Sequence, residues 1–170
     1  MNATEFPATL DRMATAFESA AIDPSAMDEC HKHLVQGIAS MFDGKHGPDG
    51  DPWPARREVK KTHPLLNESG ALRAAATGGA GHVKEIYPRD LVVGVSKQST
   101  GSLAGAAIHQ YGGTIEPRNK PFLVFQLNGE LVFAKKVTIP ARPYLGATLE
   151  AIDACRETIS EAIKRDVFNQ

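Results

Sequence analysis

The chain has 170 residues, of which 42% are hydrophobic, and its 19 basic and 20 acidic side chains give a formal net charge of −1. This length fits one domain with a real core, and the near-neutral charge excludes a protein that binds nucleic acid over its whole surface. No apolar run approaches the ~20 residues that span a bilayer, and no basic-then-apolar leader is present, so we expect a protein made in the cytosol without a membrane partner.

Apolar residues at helical spacing predict two helices at the start of the chain. The first covers residues 10–17 and the second residues 24–43. Asp23 is a side-chain cap for the second helix, and Pro24 suits its first position. Gly37 inside this helix costs about 1 kcal/mol relative to alanine, which packing must offset.

The histidines and cysteines of the predicted helices indicate no metal or cofactor site. His31 and His33 are two residues apart on one helix, so they point to nearly opposite sides and cannot easily share an ion. Cys30 and Cys155 lie on apolar helix faces, where a free thiol behaves as a small hydrophobe. We expect reduced core cysteines in preference to a disulfide or a ligand pair.

Residues 43–54 are rich in Gly, Pro and Asp, and they predict a surface loop. A calcium loop is excluded because Lys45 and Gly47 stand where such a loop needs side-chain oxygens. Trp53, the only tryptophan, lies between two prolines of this loop. Its large apolar body and single donor fit an anchor of the loop to the core, or else a contact with a partner.

A basic run follows the loop and consists of Arg56, Arg57, Lys60 and Lys61. A run of this kind is usually a solvated face. The alternative is a local contact with phosphate or with an acidic partner.

The middle of the chain predicts short elements. Ser69 can cap a short helix, residues 83–87 and 91–95 are β-prone, and residues 102–111 suit a small-residue helix. This last helix carries His109. No nucleophile or metal motif accompanies that histidine, so a structural or interface role is favoured over catalysis.

The strongest local signal is an Asn-Gly pair at residues 128–129 between two β-prone runs, a preferred two-residue hairpin turn. In that register Phe125 opposes Val132 on one face, and Val124 opposes Phe133 on the other. Both faces are apolar. We therefore expect the chain's own helices on one face and another sheet or a neighbouring subunit on the other.

Residues 138–146 form what we call the joint, between the hairpin and the last helix. Pro140 and Pro143 fix φ and push the preceding residues towards extended geometry. Thr148 can cap the following helix. Arg142 is predicted to lock the joint by pairing with a carboxylate or with backbone carbonyls.

Together these elements predict a single α+β domain over residues 1–170. Its antiparallel sheet, which includes the hairpin, is expected to be packed by the N-terminal helices and by a C-terminal helix over residues 149–167. That last helix should lie on the sheet, beside the second helix.

Four short motifs stand in order along the chain: Pro-Trp-Pro at 52–54, Leu-Asn-Glu-Ser-Gly-Ala-Leu at 66–72, Ile-His-Gln-Tyr-Gly at 108–112 and Ile-Pro-Ala-Arg-Pro-Tyr-Leu-Gly at 139–146. With the hairpin between the last two, the chain resembles the virion morphogenesis (tail completion) family of tailed phages and Mu-like prophages. The resemblance covers most of the chain from about residue 28 onward. It leaves open whether residues 1–23 are an N-terminal extension.

The resemblance implies a structural virion protein of the tail and neck, assembled in the bacterial host cytoplasm, that is not an enzyme and needs no cofactor. It implies a ring, expected to be a hexamer, that completes or terminates the tail at its head-proximal end. The implied partners are further copies of the chain, the tail tube protein and the head–tail connector or adaptor proteins, with local contact to packaged DNA open for the basic run. The residues expected to carry assembly contacts are Trp53, His109, Gln110, Phe125, Phe133, Pro140, Arg142, Pro143 and Tyr144.

Other functions stay open. A head-completion or connector adaptor protein would co-purify with filled heads and not with free tails. A small nucleic-acid-binding module would depend on the basic run alone and would give a salt-dependent gel shift. A hydrolase comes third, because the sequence shows no paired nucleophile and base.

Overall fold

The computed structural model of the chain describes residues 22–58, 60–96 and 103–168. Its helices are α1 (Pro24–Gly44), α2 (Ala71–Ala76), α3 (Leu103–Tyr111) and α4 (Leu149–Phe168). Its strands are β1 (His82–Ile86), β2 (Leu91–Val95), β3 (Gly113–Ile115), β4 (Leu123–Leu127), β5 (Glu130–Ala134) and β6 (Val137–Ile139). The helix predicted over residues 10–17 lies outside the described residues.

Helix α1 begins and ends where its sequence predicts. Asp23 Oδ1 accepts a hydrogen bond from the backbone N–H of Ser25 at 2.9 Å, and Pro24 takes a first-turn position, where no helical N–H is lost. At the other end Lys45 turns the chain out of the helix with a left-handed φ of 56°. Arg165 also donates to Asp23 Oδ2 at 2.6 Å, which ties the start of α1 to the end of α4.

Helix α4 packs along α1, and Gly37 allows the two to come close. A Cβ at Gly37 would lie 3.0 Å from Thr148 Oγ1 and 3.2 Å from Ala151 Cβ. The packing thus offsets the cost of a glycine within a helix. The prediction that the last helix lies beside the second is confirmed, but its main partner is α1 and not the sheet.

The two cysteines face each other across the contact between α1 and α4. Each thiol donates to the other's carbonyl, Cys30 Sγ at 3.7 Å and Cys155 Sγ at 3.4 Å. Both are free thiols. Burial, and next the hydrogen bond with Cys30, raise the pKa of the Cys155 thiol to about 12, so it stays protonated and unreactive at neutral pH.

The core lies among the helices, the surface loop and the joint. Its buried cluster takes residues from α1, the loop, α2, α3 and the joint, namely Ile38, Met41, Phe42, Trp53, Ala76, Ala106 and Tyr144. Strand β2 adds the partly buried Val93 and Val95. Neither β4 nor β5 contributes a residue, so the hairpin stands outside this core.

The strands form three two-stranded antiparallel sheets, which pair β1 with β2, β3 with β6 and β4 with β5. The α+β class is therefore confirmed, but within the described ranges the prediction of one sheet containing the hairpin is wrong. A physical reason lies in β3 and β6, which have three residues each. Gly112 precedes β3 and Pro140, which lacks an N–H, follows β6, so neither strand is long enough to extend the ladder towards β4 and β5.

The cap of helix α2 lies one residue later than the sequence predicts. Gly70, with φ of 78°, occupies the cap position and makes no side-chain bond, whereas Ser69 Oγ reaches the N–H of Ala71 only at 3.4 Å.

None of the helices in the described ranges combines the length and hydrophobicity that a bilayer crossing requires.

Candidate assembly site

The joint, residues 138–146, is held from inside the chain by Arg142. This side chain is 7% exposed, and it donates from Nε to the Pro54 carbonyl at 2.8 Å and from Nη2 to the Ala55 carbonyl at 3.2 Å. Its backbone N–H donates to the His109 carbonyl at 2.7 Å. Of the two kinds of partner predicted for Arg142, the structure shows backbone carbonyls. The planar guanidinium reaches two successive carbonyls at once and so ties the joint to the end of the surface loop.

Gln110 holds the joint from the side of α3. Its Oε1 accepts from the N–H groups of Tyr144 and Leu145 at 2.9 and 3.0 Å, while its Nε2 donates to the Leu145 carbonyl at 2.8 Å. One side chain therefore satisfies three backbone groups. Close approach of α3 to the joint requires Gly112, because a Cβ there would lie 2.8 Å from the backbone N of Ala141.

Two aromatic residues expected at an assembly interface are buried within the chain. Tyr144 is 1% exposed and its hydroxyl donates to the Ala106 carbonyl at 3.3 Å. Trp53 packs edge-on against Phe42, with ring centroids 5.6 Å apart, and its Nε1 donates to the Pro143 carbonyl at 2.9 Å. Trp53 thus anchors the loop to the core, the first of the two roles open to it from the sequence, and Tyr144 anchors the joint in the same way. Burial makes both residues part of the core that fixes the joint.

The hairpin has the register that the Asn-Gly turn predicts. Val124 pairs with Phe133 and Phe125 with Val132, and the two turn residues at 128–129 have the positive φ values, 54° and 91°, that such a turn needs.

One face of the hairpin is apolar and exposed. Val124 is 54% exposed, Leu131 58% and Phe133 61%. Because pairing puts Val124 opposite Phe133, and Leu131 lies two residues before Phe133 on one strand, the three share a face. Phe125, on the other face, is half-buried. We call these three exposed side chains the hairpin face.

The profile of the phage virion morphogenesis family matches residues 2–164 of the chain. The chain belongs to this family. It is accordingly a phage protein with a role in virion structure or assembly. The matched range includes the joint, the hairpin and the segment before Asp23. No curated protein and no solved structure matches the chain.

The nine assembly residues expected of this family member divide into three groups. The structure gathers six of them in the contacts that hold the joint, leaves one further joint residue exposed directly after β6 and places two on the hairpin. In that order they are Trp53, His109, Gln110, Arg142, Pro143 and Tyr144; Pro140; and Phe125 and Phe133.

Two residues of the basic run are used within the chain. Arg56 Nη2 donates to the carbonyl of His63. Lys61 Nζ lies 3.0 Å from a carboxylate oxygen of Glu68 and 3.6 Å from one of Glu58. The carbonyl occupies donors of Arg56, and the two carboxylates beside Lys61 reduce the charge that the run can offer to phosphate.

The other two basic residues, Arg57 and Lys60, are exposed. The backbone N–H of Lys60 donates to Asn128 Oδ1 at 3.3 Å, which brings this segment to the hairpin turn. The four residues therefore do not act as one basic face. Two remain open to an acidic partner or to DNA.

The histidines singled out in the sequence lie apart. His31 Nε2 is 2.7 Å from His82 Nε2 on β1, and His33 Nε2 is 3.4 Å from Thr158 Oγ1 on α4. His109 is half-buried, and burial followed by the charge of Arg142 lowers its pKa from the ordinary 6.5. Across residues 22–58, 60–96 and 103–168, no three His, Cys, Asp or Glu side chains are grouped to hold a metal ion.

Sequence reasoning missed two kinds of contributor. Leu131 belongs to the hairpin face, and its spacing of two residues from Phe133 is a signal that could have found it. The carbonyls of Pro54 and Ala55 receive the Arg142 guanidinium, and no sequence signal marks them because every residue carries a carbonyl.

Proposed function

We propose that this protein completes the phage tail at its head-proximal end, as a ring of identical subunits between the tail and the head connector. Family membership gives the virion role, and one observation supports self-association: the hairpin face exposes three large apolar side chains. Single exposed apolar residues are ordinary, but a contiguous group on one strand pair is typical of an interaction surface.

The joint supports the same proposal. A head-to-tail contact closes into a ring only if each subunit meets the next at the right angle, and a small angular error gives an open helix. Arg142 and Gln110 fix the path from β6 to α4 with five side-chain hydrogen bonds. This rigidity suits a subunit that must present its hairpin at a constant angle.

In this function the protein acts structurally, in the neck of the virion, without catalysis or a cofactor. We expect a hexamer, with the tail tube protein on one side of the ring and head connector or adaptor proteins on the other.

Deletion of the gene from its phage, with complementation in trans, tests the function. We expect the deletion to leave filled heads and separate tails of irregular length, and the wild-type gene to restore whole virions. Electron microscopy of the purified protein mixed with tail tubes should show an added ring at one end. Whole infectious virions from the deletion would refute the proposal.

Two variants test in that assay whether the hairpin face is required. Phe133→Asp should fail to restore virions because it places a charge on the hairpin face. Val92→Asp, at a 44% exposed strand position on β2, should restore them.

The same assay separates the alternatives. Co-purification with filled heads and not with tails would instead indicate a head-side adaptor. The nucleic-acid module would require a gel shift at physiological salt, and we expect none.

A further inference from the structure

A pocket of about 210 Å³ opens between the surface loop and the joint. We call it the loop pocket. Asp49 and Asp51, both exposed, form its acidic rim. The remaining wall is almost entirely apolar and includes Pro48, Pro52, Trp53, Pro54, Ala141 and Pro143.

The loop pocket is preformed by the fold. Backbone bonds of 2.8 Å from Gly47 N to the Asp51 carbonyl and from Trp53 N to the Lys45 carbonyl close the loop on itself. On the joint side, a Cβ at Gly146 would lie 2.8 Å from Pro48 Cγ, so the two walls are in direct contact. A rigid pocket loses little entropy when it is filled.

The acidic rim has no partner within the described residues. Neither carboxylate lies within ion-pair distance of a cation or accepts a hydrogen bond there. Lys135 and Lys136, which we call the lysine pair, follow the exposed ring of Phe133 by two and three residues. Both lysines are exposed, and neither has a carboxylate partner among the residues that the structure describes.

We infer that Phe133 of one copy inserts into the loop pocket of a second copy, with the lysine pair of the first against the acidic rim of the second. A cavity of about 150 Å³ is enough to hold benzene, so the loop pocket has room for a phenyl ring. This contact presupposes the self-association proposed above and names its two surfaces.

Charge and shape favour a second copy over another partner. One chain carries an apolar pocket with two carboxylates and an exposed aromatic ring followed by two ammonium groups, and none of these charges is paired within residues 22–58, 60–96 and 103–168. Opposite charges at the edge of a contact speed association and fix its register. Because the pocket and the hairpin face are different surfaces, the contact can be made head-to-tail, and a head-to-tail contact can repeat around a ring.

The single tryptophan of the chain reports on the loop pocket, since Trp53 lines it. We expect the emission of the full-length protein to shift with concentration, in parallel with the mass measured by light scattering. Phe133→Ala should lose the shift and weaken association by at least about tenfold, because an aromatic anchor in a pocket is a typical hot spot. Association without any change in Trp53 emission would overturn the inference.

Charge exchange tests the pairing itself. Lys135→Glu with Lys136→Glu should weaken self-association by at least about tenfold, and so should Asp49→Lys with Asp51→Lys. A mixture of these two double variants should associate again, since each then offers the other an opposite charge. The chain with all four changes should likewise associate with itself.

A matched control reverses two charges elsewhere. Arg156→Glu with Lys164→Glu changes the net charge as much as the lysine-pair variant, at exposed positions on α4, and should associate like the wild type.

Three results would overturn the inference: equal weakening by the control, failure of the mixture to associate, or a wild type that stays monomeric at every concentration. Each would leave the tail-completion assay free to decide the proposed function. Loss of tail completion alone, with the contact intact, would refute the function and keep the contact.

Discussion

The joint and the hairpin are close in sequence and both rich in apolar residues, yet the fold treats them in opposite ways. Tyr144 of the joint is 1% exposed, whereas Phe133 of the hairpin is 61% exposed. The joint lies against α3 and the surface loop, which bury its aromatic ring. The hairpin is a two-stranded ribbon outside the core. The stability of the fold thus depends on the joint, whereas the hairpin carries the surface that we propose for assembly.

The largest expected difference between the two regions follows from removing one aromatic ring from each. Tyr144→Ala should lower the free energy of unfolding by about 4 kcal/mol, since it opens a cavity in the core. Phe133→Ala should lower it by less than about 1 kcal/mol and act on association instead. Denaturant unfolding and light scattering measure the two effects. Equal losses of stability would refute the division between the regions.

Arg142 tests how the joint is held. Arg142→Ala should cost about 3 kcal/mol of stability, because two charge-assisted hydrogen bonds to carbonyls are lost, and leave a soluble monomer that assembles poorly. Arg142→Lys should recover little, since an ammonium group cannot reproduce the two-pronged geometry of a guanidinium. Size-exclusion chromatography with light scattering should find a smaller mass than the wild type. Wild-type assembly from both variants would rule out the joint as a determinant of ring geometry, and insoluble protein from both would mean that Arg142 serves the fold alone.

Variants of Gln110 distinguish the two hydrogen bonds in which its side chain accepts from N–H groups of the joint from the one in which it donates to a carbonyl of the joint. Gln110→Ala should cost about 2 kcal/mol, because the N–H groups of Tyr144 and Leu145 lose their shared acceptor. Gln110→Glu keeps that acceptor but turns an oxygen towards the Leu145 carbonyl, so we expect a loss of stability at neutral pH that decreases on acidification. Chemical unfolding of both variants at two pH values checks this. If both variants lost the same stability at both pH values, these hydrogen bonds would not be what holds the joint against α3.

The smallest expected effect concerns His109. Burial and Arg142 lower its pKa below 6.5 in the folded chain, so the unfolded chain binds more protons as the pH falls below that value. Stability should therefore decrease as the pH falls through the ordinary histidine value of 6.5, and level off below the folded pKa of His109. His109→Gln should flatten the slope. His31, whose pKa burial also lowers, should leave a residual slope. An unchanged slope would exclude His109 as its source.

Local elements followed from local chemistry. Asp23 and Pro24 determine the start of α1, and the Asn-Gly pair at 128–129 determines the register of the hairpin, because caps and two-residue turns depend on neighbouring residues alone. The motifs were sufficient to indicate the family. The backbone stiffness of the joint could likewise be predicted from Pro140 and Pro143.

The contacts that those elements make depend on segments that are distant in sequence. Trp53 and Tyr144 carry the same signals whether they contact a partner or the core, and burial by α1 and α3 placed both inside. The division into three small sheets, and the exposure of the hairpin face, depend on which segments meet over long distances in sequence. The sequence alone therefore determined the local elements and the family of this protein. The hydrogen bonds of Arg142 and Gln110 that hold the joint arise only in the fold, and so does the loop pocket. Each brings together backbone groups and side chains that are far apart in sequence, which no local pattern predicts.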